Sequence, residues 1–137
     1  MKKALRIGYH CYSNDKRFEE HLKFIQRNKD SINEFTLFAE YSHYGYWDIE
    51  TSEKNAELLK RRIADYRKLG ISRVGINLLC TIGHLSEGWG VLPRAPFPYQ
   101  VNEKGVTSKG QLCFANDYFL KHTAKRYALY AATGADF

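Results

Sequence analysis

Proline and cysteine are both scarce, with three of each in 137 residues. The cysteines, Cys11, Cys80 and Cys113, are an odd number at wide spacing and form no C-x-x-C pair. That pattern argues against a disulfide framework and fits a reducing, cytoplasmic setting. A zinc site could be assembled from Cys80, His84, Cys113 and either His10 or Cys11. Thiols buried as small hydrophobes account for them better, so neither a metal nor another cofactor is expected. No apolar run approaches the roughly 18 residues of a membrane span. The opening MKKALRIGYHCYS is basic, but polar residues interrupt it too soon for a secretory signal. Gly-x-Gly-x-x-Gly after a strand, a Walker sequence and a Gly-x-Ser-x-Gly elbow are all missing. Their absence removes the commonest nucleotide-binding and hydrolase classes.

What is present suits one packed α/β unit. Hydrophobic residues make up 44% of the chain, enough for a core, and no Ser/Gly-rich linker divides it. Lys and Arg number 21 against 15 Asp and Glu, a net charge of +6. The cations fall on expected helices among acidic residues, as on solvated helical faces. No nucleic-acid motif accompanies them, so neither nucleic acid nor membrane is an expected partner.

Hydrophobic periodicity alternates between 2 and 3.6 along the chain. Residues 4–12 alternate as a strand, with Leu5, Ile7, Tyr9 and Cys11 on one face. Asp15 caps a helix over 16–29 with the stripe Phe18, Leu22 and Ile25. A second strand covers 34–41. Thr51 or Ser52 caps a helix over 53–69 that buries Ala56, Leu59, Ile63, Tyr66 and Leu69 and stops at Gly70. A third strand runs from Arg73 to Cys80. A long connection, Thr81 to Ala115, follows, in which Asn102 to Gly105 form a hairpin turn. Asn116 or Asp117 then caps a last helix with Leu120, Ala124, Tyr127 and Ala131 inward, stopped by Gly134. The βα units are 4–33, 34–71 and 72–137. Strands joined by single helices are parallel if they share a sheet.

The second faces of the strands carry the functional signal. Opposite the apolar positions lie Arg6, Gly8, His10 and Tyr12, then Thr36, Phe38 and Glu40, then Gly75, Asn77 and Leu79. One apolar face and one mixed face, with polar groups near the C-terminal strand ends, fit a (β/α) barrel whose interior converges on a rim site. His10, Tyr12, Glu40, Tyr41, Asn77 and His84 would line one wall of it. Core packing or a structural ion pair is the bland alternative for each polar member. Tyr41, Tyr44, Tyr46, Trp47 and Trp89 fall in polar connections, where Trp47 and Trp89 offer stacking surfaces. Aromatic faces beside carboxylates and amides suit carbohydrate.

The segments GYHCYS, GINLLCTIGH and SKGQLCFANDYFLKHTAKRYALYAATGADF resemble the start of bacterial barrel-type glycoside hydrolases. The resemblance implies the first part of a (β/α)8 TIM barrel, with GADF leading into a fourth strand that ends in catalytic acids. It departs at Asn116-Asp117, where the family has proline after asparagine. A barrel has eight βα units in about 250 residues; this chain has three. The expectation is therefore the N-terminal part of a glycosidase-like barrel that binds sugar with His10, Tyr12, Glu40, Tyr41, Trp47, Asn77, His84 and Trp89. Its catalytic carboxylates would lie elsewhere, since Glu40 and Glu87 do not make a convincing pair. The alternative is a small self-contained α/β protein that binds a ligand or self-associates through its open sheet edges.

Overall fold

In the computed structural model, which describes residues 3–39, 48–78 and 96–137, β1 (Ala4–Ile7), β2 (Glu34–Phe38) and β3 (Arg73–Asn77) form one sheet. The strands are parallel and lie in the order β1-β2-β3. Their register aligns Leu5, Phe35 and Val74 in one row and Ile7, Leu37 and Ile76 in the next. Because side chains alternate along a strand, both rows share a face. That face meets α2 (Asp15–Asn28), α3 (Ile49–Lys68) and α4 (Asp117–Ala131). The core joins Phe35, Leu37 and Val74 to Phe18, Ile25, Leu59, Ile63, Tyr66 and Tyr130. The Phe35 and Tyr66 rings lie 4.8 Å apart at its centre. Burying each large apolar side chain contributes about 1.5–3 kcal/mol, which makes this layer the main source of stability.

The first strand is shorter than its alternation predicts. It ends at Ile7, and α1 (Tyr9–Tyr12) follows as a single helical turn. The amide of Cys11 donates to the Gly8 carbonyl at 3.0 Å, and that of Ser13 to Tyr9 at 3.0 Å. The change of period inverts the expected faces: Tyr12 is buried and Cys11 is exposed. Helix starts also move. The Asn14 side chain, not Asp15, caps α2 by accepting the Arg17 amide. Asp48, not Thr51 or Ser52, caps α3 by accepting the Thr51 amide at 2.7 Å. That bond holds the Asp48 carboxyl below its usual range.

The last helix is rotated by one residue from expectation. Phe119, Thr123, Arg126 and Tyr130 face inward, while Leu120 and Tyr127 are 48% and 39% exposed. Two partners decide this. Phe119 packs with Phe97 and Leu112 in a satellite cluster, and the Tyr130 hydroxyl receives the Asn55 amide at 3.3 Å. The satellite cluster rests on a hairpin of β4 (Tyr99–Val101) and β5 (Thr107–Leu112). Its turn is the expected one: Asn102 Oδ1 accepts from the amides of Lys104 and Val106 at 3.0 and 2.9 Å, and Gly105 has φ 77°. Among the described residues no helix is long and apolar enough to cross a membrane.

After α4 the chain turns at Gly134, φ 85°, and runs along the outer edge of β3. The Asp136 amide donates to the Val74 carbonyl and the Ile76 amide to the Phe137 carbonyl, both at 2.8 Å. The two bonds fasten this tail to the outer edge of β3, beside the three-stranded sheet. Asp136 Oδ2 accepts the Val74 amide at 2.8 Å, and its Oδ1 lies 3.2 Å from Arg67. The amide and the guanidinium keep this carboxyl below its usual range. The Phe137 ring covers Gly75 so closely that a Cβ there would fall 2.2 Å from Cε2.

Gly75→Ala should therefore lose stability in the presence of the ring. Once Phe137→Ala has removed the ring, the same change should gain about 0.5–1 kcal/mol. Equal effects in the two backgrounds, measured by urea denaturation, would remove this contact from the account. A second expectation concerns His21, whose ring lies 5.7 Å from that of Tyr66 and 6.1 Å from that of Phe35. Burial lowers its pKa from the ordinary 6.5. The folded chain then binds fewer protons than the unfolded chain, so stability declines as the pH falls below about 6.5. His21→Leu should flatten that decline between about pH 7.5 and 5.5.

Candidate functional site

The candidate site lies at the C-terminal ends of the three strands. At the end of β2, the Tyr12 hydroxyl lies 2.6 Å from the Phe38 carbonyl oxygen and 3.0 Å from that of Ala39. Asn55 in α3 donates its side-chain amide to the same Ala39 carbonyl. The Ala39 amide in turn donates to the Asn77 carbonyl at 3.0 Å. Arg62 supports Tyr12 from behind: its Nε donates to the Tyr12 carbonyl at 3.0 Å, it pairs with Asp15, and it lies 4.0 Å over the Phe18 ring. Three elements, α1, α3 and β3, thus fix the backbone that immediately precedes Glu40.

The sheet face away from the helices is built in rows. Nearest the strand starts, Glu34 and Arg73 form an ion pair at 3.2 Å. The next row holds Arg6, Thr36 and Gly75, and the last holds Phe38 opposite Asn77. The Arg6 guanidinium leans toward the last row, 5.9 Å from the Phe38 ring centroid. Arg73 lies 5.0 Å from the Phe137 ring. This face therefore presents a ring, an amide and a guanidinium near the C-terminal strand ends.

Three of the eight expected ligand-contacting residues lie within the described part of the chain. Asn77 is half-buried on the open face, where alternation placed it. His10 is exposed but sits on α1 rather than on β1, its ring edge-on to Tyr9 at 5.8 Å. Tyr12 corrects the expectation: fully buried and bonded to the end of β2, it positions that strand and has no surface for a ligand. Glu40, Tyr41, Trp47, His84 and Trp89 lie outside the described residues, as does the Cys80–His84 pair. Among the described residues no three His, Cys, Asp or Glu side chains gather as a metal site.

Sequence reasoning overlooked Asn55 and gave Arg6 no role. The signal for Asn55 was a polar residue beside Ala56 on the buried stripe of α3. A separate cavity of about 350 Å³ lies on the helix side, between β3, α4 and Phe137, lined by Ile76, Leu78, Tyr127 and Ala131. Its apolar walls and its position on the far side of the sheet separate it from the rim. Compared with protein families, curated proteins and solved structures, the chain matches none.

These contacts divide the site into support and surface. Tyr12→Phe removes the donor to a buried strand end and should cost about 1–3 kcal/mol. Asn77→Ala removes a half-buried amide that bonds nothing among the described residues, so its effect should stay within about 0.5 kcal/mol. Chemical denaturation of both variants tests this division, and a larger loss for Asn77→Ala would reverse it.

Proposed function

We propose that this chain is the N-terminal part of a glycoside hydrolase-like (β/α) barrel and supplies carbohydrate-binding residues at the strand ends. The observation that carries the reading is the direction of the sheet. Strand order follows chain order, the helices lie on one face, and Asp136 and Phe137 hydrogen-bond to the outer edge of β3. A doubly wound sheet would reverse its order and cover both faces with helices, whereas steady addition on one side curls toward closure. The uncovered face then becomes the barrel interior, and its C-terminal rim the binding site.

The chemistry at that rim suits a sugar. Phe38 can cover a C–H face and Asn77 can read hydroxyls, joined by Glu40, Tyr41, Trp47, His84 and Trp89 as expected from sequence. Glycoside hydrolysis needs two carboxylates about 5–9.5 Å apart across the bond. Glu34, the carboxylate on the described open face, is ion-paired to Arg73 at the opposite strand ends. This reading therefore gives the chain sugar binding and assigns the reaction to other strands.

One observation favours a second reading. Leu120, Ala124, Tyr127 and Ala131 form an exposed apolar stripe on α4. A small α/β protein that associates through this stripe, without catalysis, would account for it.

Two measurements separate the readings. The chain should turn over no aryl glycoside, yet neutral sugars should perturb the Asn77 side-chain signals in nuclear magnetic resonance. Asn77→Ala should weaken that binding about tenfold. Turnover that disappears in Glu40→Gln would instead show that the chain carries its own acid. Light scattering at micromolar concentration tests the second reading: a dimer that dissociates in Leu120→Glu/Tyr127→Glu, with no sugar response, would replace the first.

A further inference from the structure

We infer that the rim takes an anionic sugar, bearing a carboxylate or a phosphate, and that Arg6 is the residue that selects it. This inference rests on the sugar-binding reading above and narrows its ligand.

Three arginines in defined ion pairs set the comparison. Arg62 is bonded to the Tyr12 carbonyl and to Asp15. Arg67 is bonded to the Gly134 carbonyl and to Asp136. Arg73 is paired with Glu34. Each of these structural guanidiniums has an anion and a defined place. Arg6 sits on the middle row of the open face, exposed, with an aromatic neighbour but no carboxylate among the described residues. Glu34, the nearest acidic position on this face by register, is already engaged by Arg73. Among the described residues the face thus holds two guanidiniums and one carboxylate, and the guanidinium without a carboxylate there is Arg6.

Its direction adds the second argument. Arg6 is in register with Thr36, yet its guanidinium reaches the Phe38 ring, one row nearer the rim. Phe38 is itself in register with Asn77. Three adjacent strands therefore bring a guanidinium, a ring and an amide to one end of the sheet. The ring suits a pyranose face and the amide a hydroxyl. A guanidinium is a planar fork that matches a carboxylate or phosphate with two parallel hydrogen bonds.

The test titrates the whole chain with four probes: glucuronate, glucose 6-phosphate, glucose and inorganic phosphate. Glucuronate or glucose 6-phosphate should bind at least about tenfold more tightly than glucose, and whichever binds better identifies the anion. Arg6→Gln should abolish that preference while leaving glucose binding and the melting temperature unchanged, and Arg6→Lys should restore part of it. Asn77→Ala should weaken all three sugars alike. Equal affinity for glucose and the anionic sugars, still sensitive to Asn77→Ala, would overturn the role of Arg6 and keep the sugar reading. Inorganic phosphate binding as tightly as the sugars, with Asn77→Ala silent, would overturn both, as would no response to any probe.

Discussion

The carbonyl oxygen of Ala39 is where the sheet is tied to its helices. Tyr12 reaches it from α1 and Asn55 reaches it from α3, while the amide of the same residue bonds across to β3. A buried carbonyl without a donor costs about 1–3 kcal/mol, so the end of β2 has little freedom to move. Asn55 also donates to Tyr130, which brings α4 into the same network. One polar cluster inside an apolar layer thereby sets the position of helices that are far apart in sequence. Apolar contact alone is non-directional and would allow each helix to slide. The cluster removes that freedom beside the strand ends that carry the candidate site.

Much of the architecture was legible because burial on one face imposes period 2 on strands and 3.6 on helices. The rows Leu5–Phe35–Val74 and Ile7–Leu37–Ile76 follow from alternation. The turn at Asn102 to Gly105 follows from an asparagine that bonds its own backbone and a glycine free to take positive φ. The α1 turn was not legible. Tyr9, His10, Cys11 and Tyr12 continue an alternating pattern, and a single helical turn is too short to display its own period. The face of α4 was ambiguous for a different reason. It carries two stripes one residue apart, and the more apolar one points outward. Phe97 and Asn55 choose the other, and both lie far away in sequence.

The candidate site divides along the same line. Asn77 could be placed by counting along β3. Tyr12 could not, because its face depends on where β1 stops. Arg6 was visible on the correct face, but its significance depends on a cross-strand fact. Only the register of β2 against β3 shows that Glu34 is spent on Arg73. Local pattern thus identifies which side chains share a face, and pairing between strands decides which of them remain available for chemistry.

The carboxylate of Asp136 occupies the Val74 amide on the outer edge of β3, and the neighbouring backbone groups are taken by Asp136 and Phe137. A parallel strand at the margin of a sheet normally exposes a row of donors and acceptors that templates further strands. Here a carboxylate and two backbone hydrogen bonds from the tail fill the first part of that row. Amyloid-like stacking of one chain on another is therefore obstructed along this margin, and a charged group stands where an incoming strand would begin its zipper.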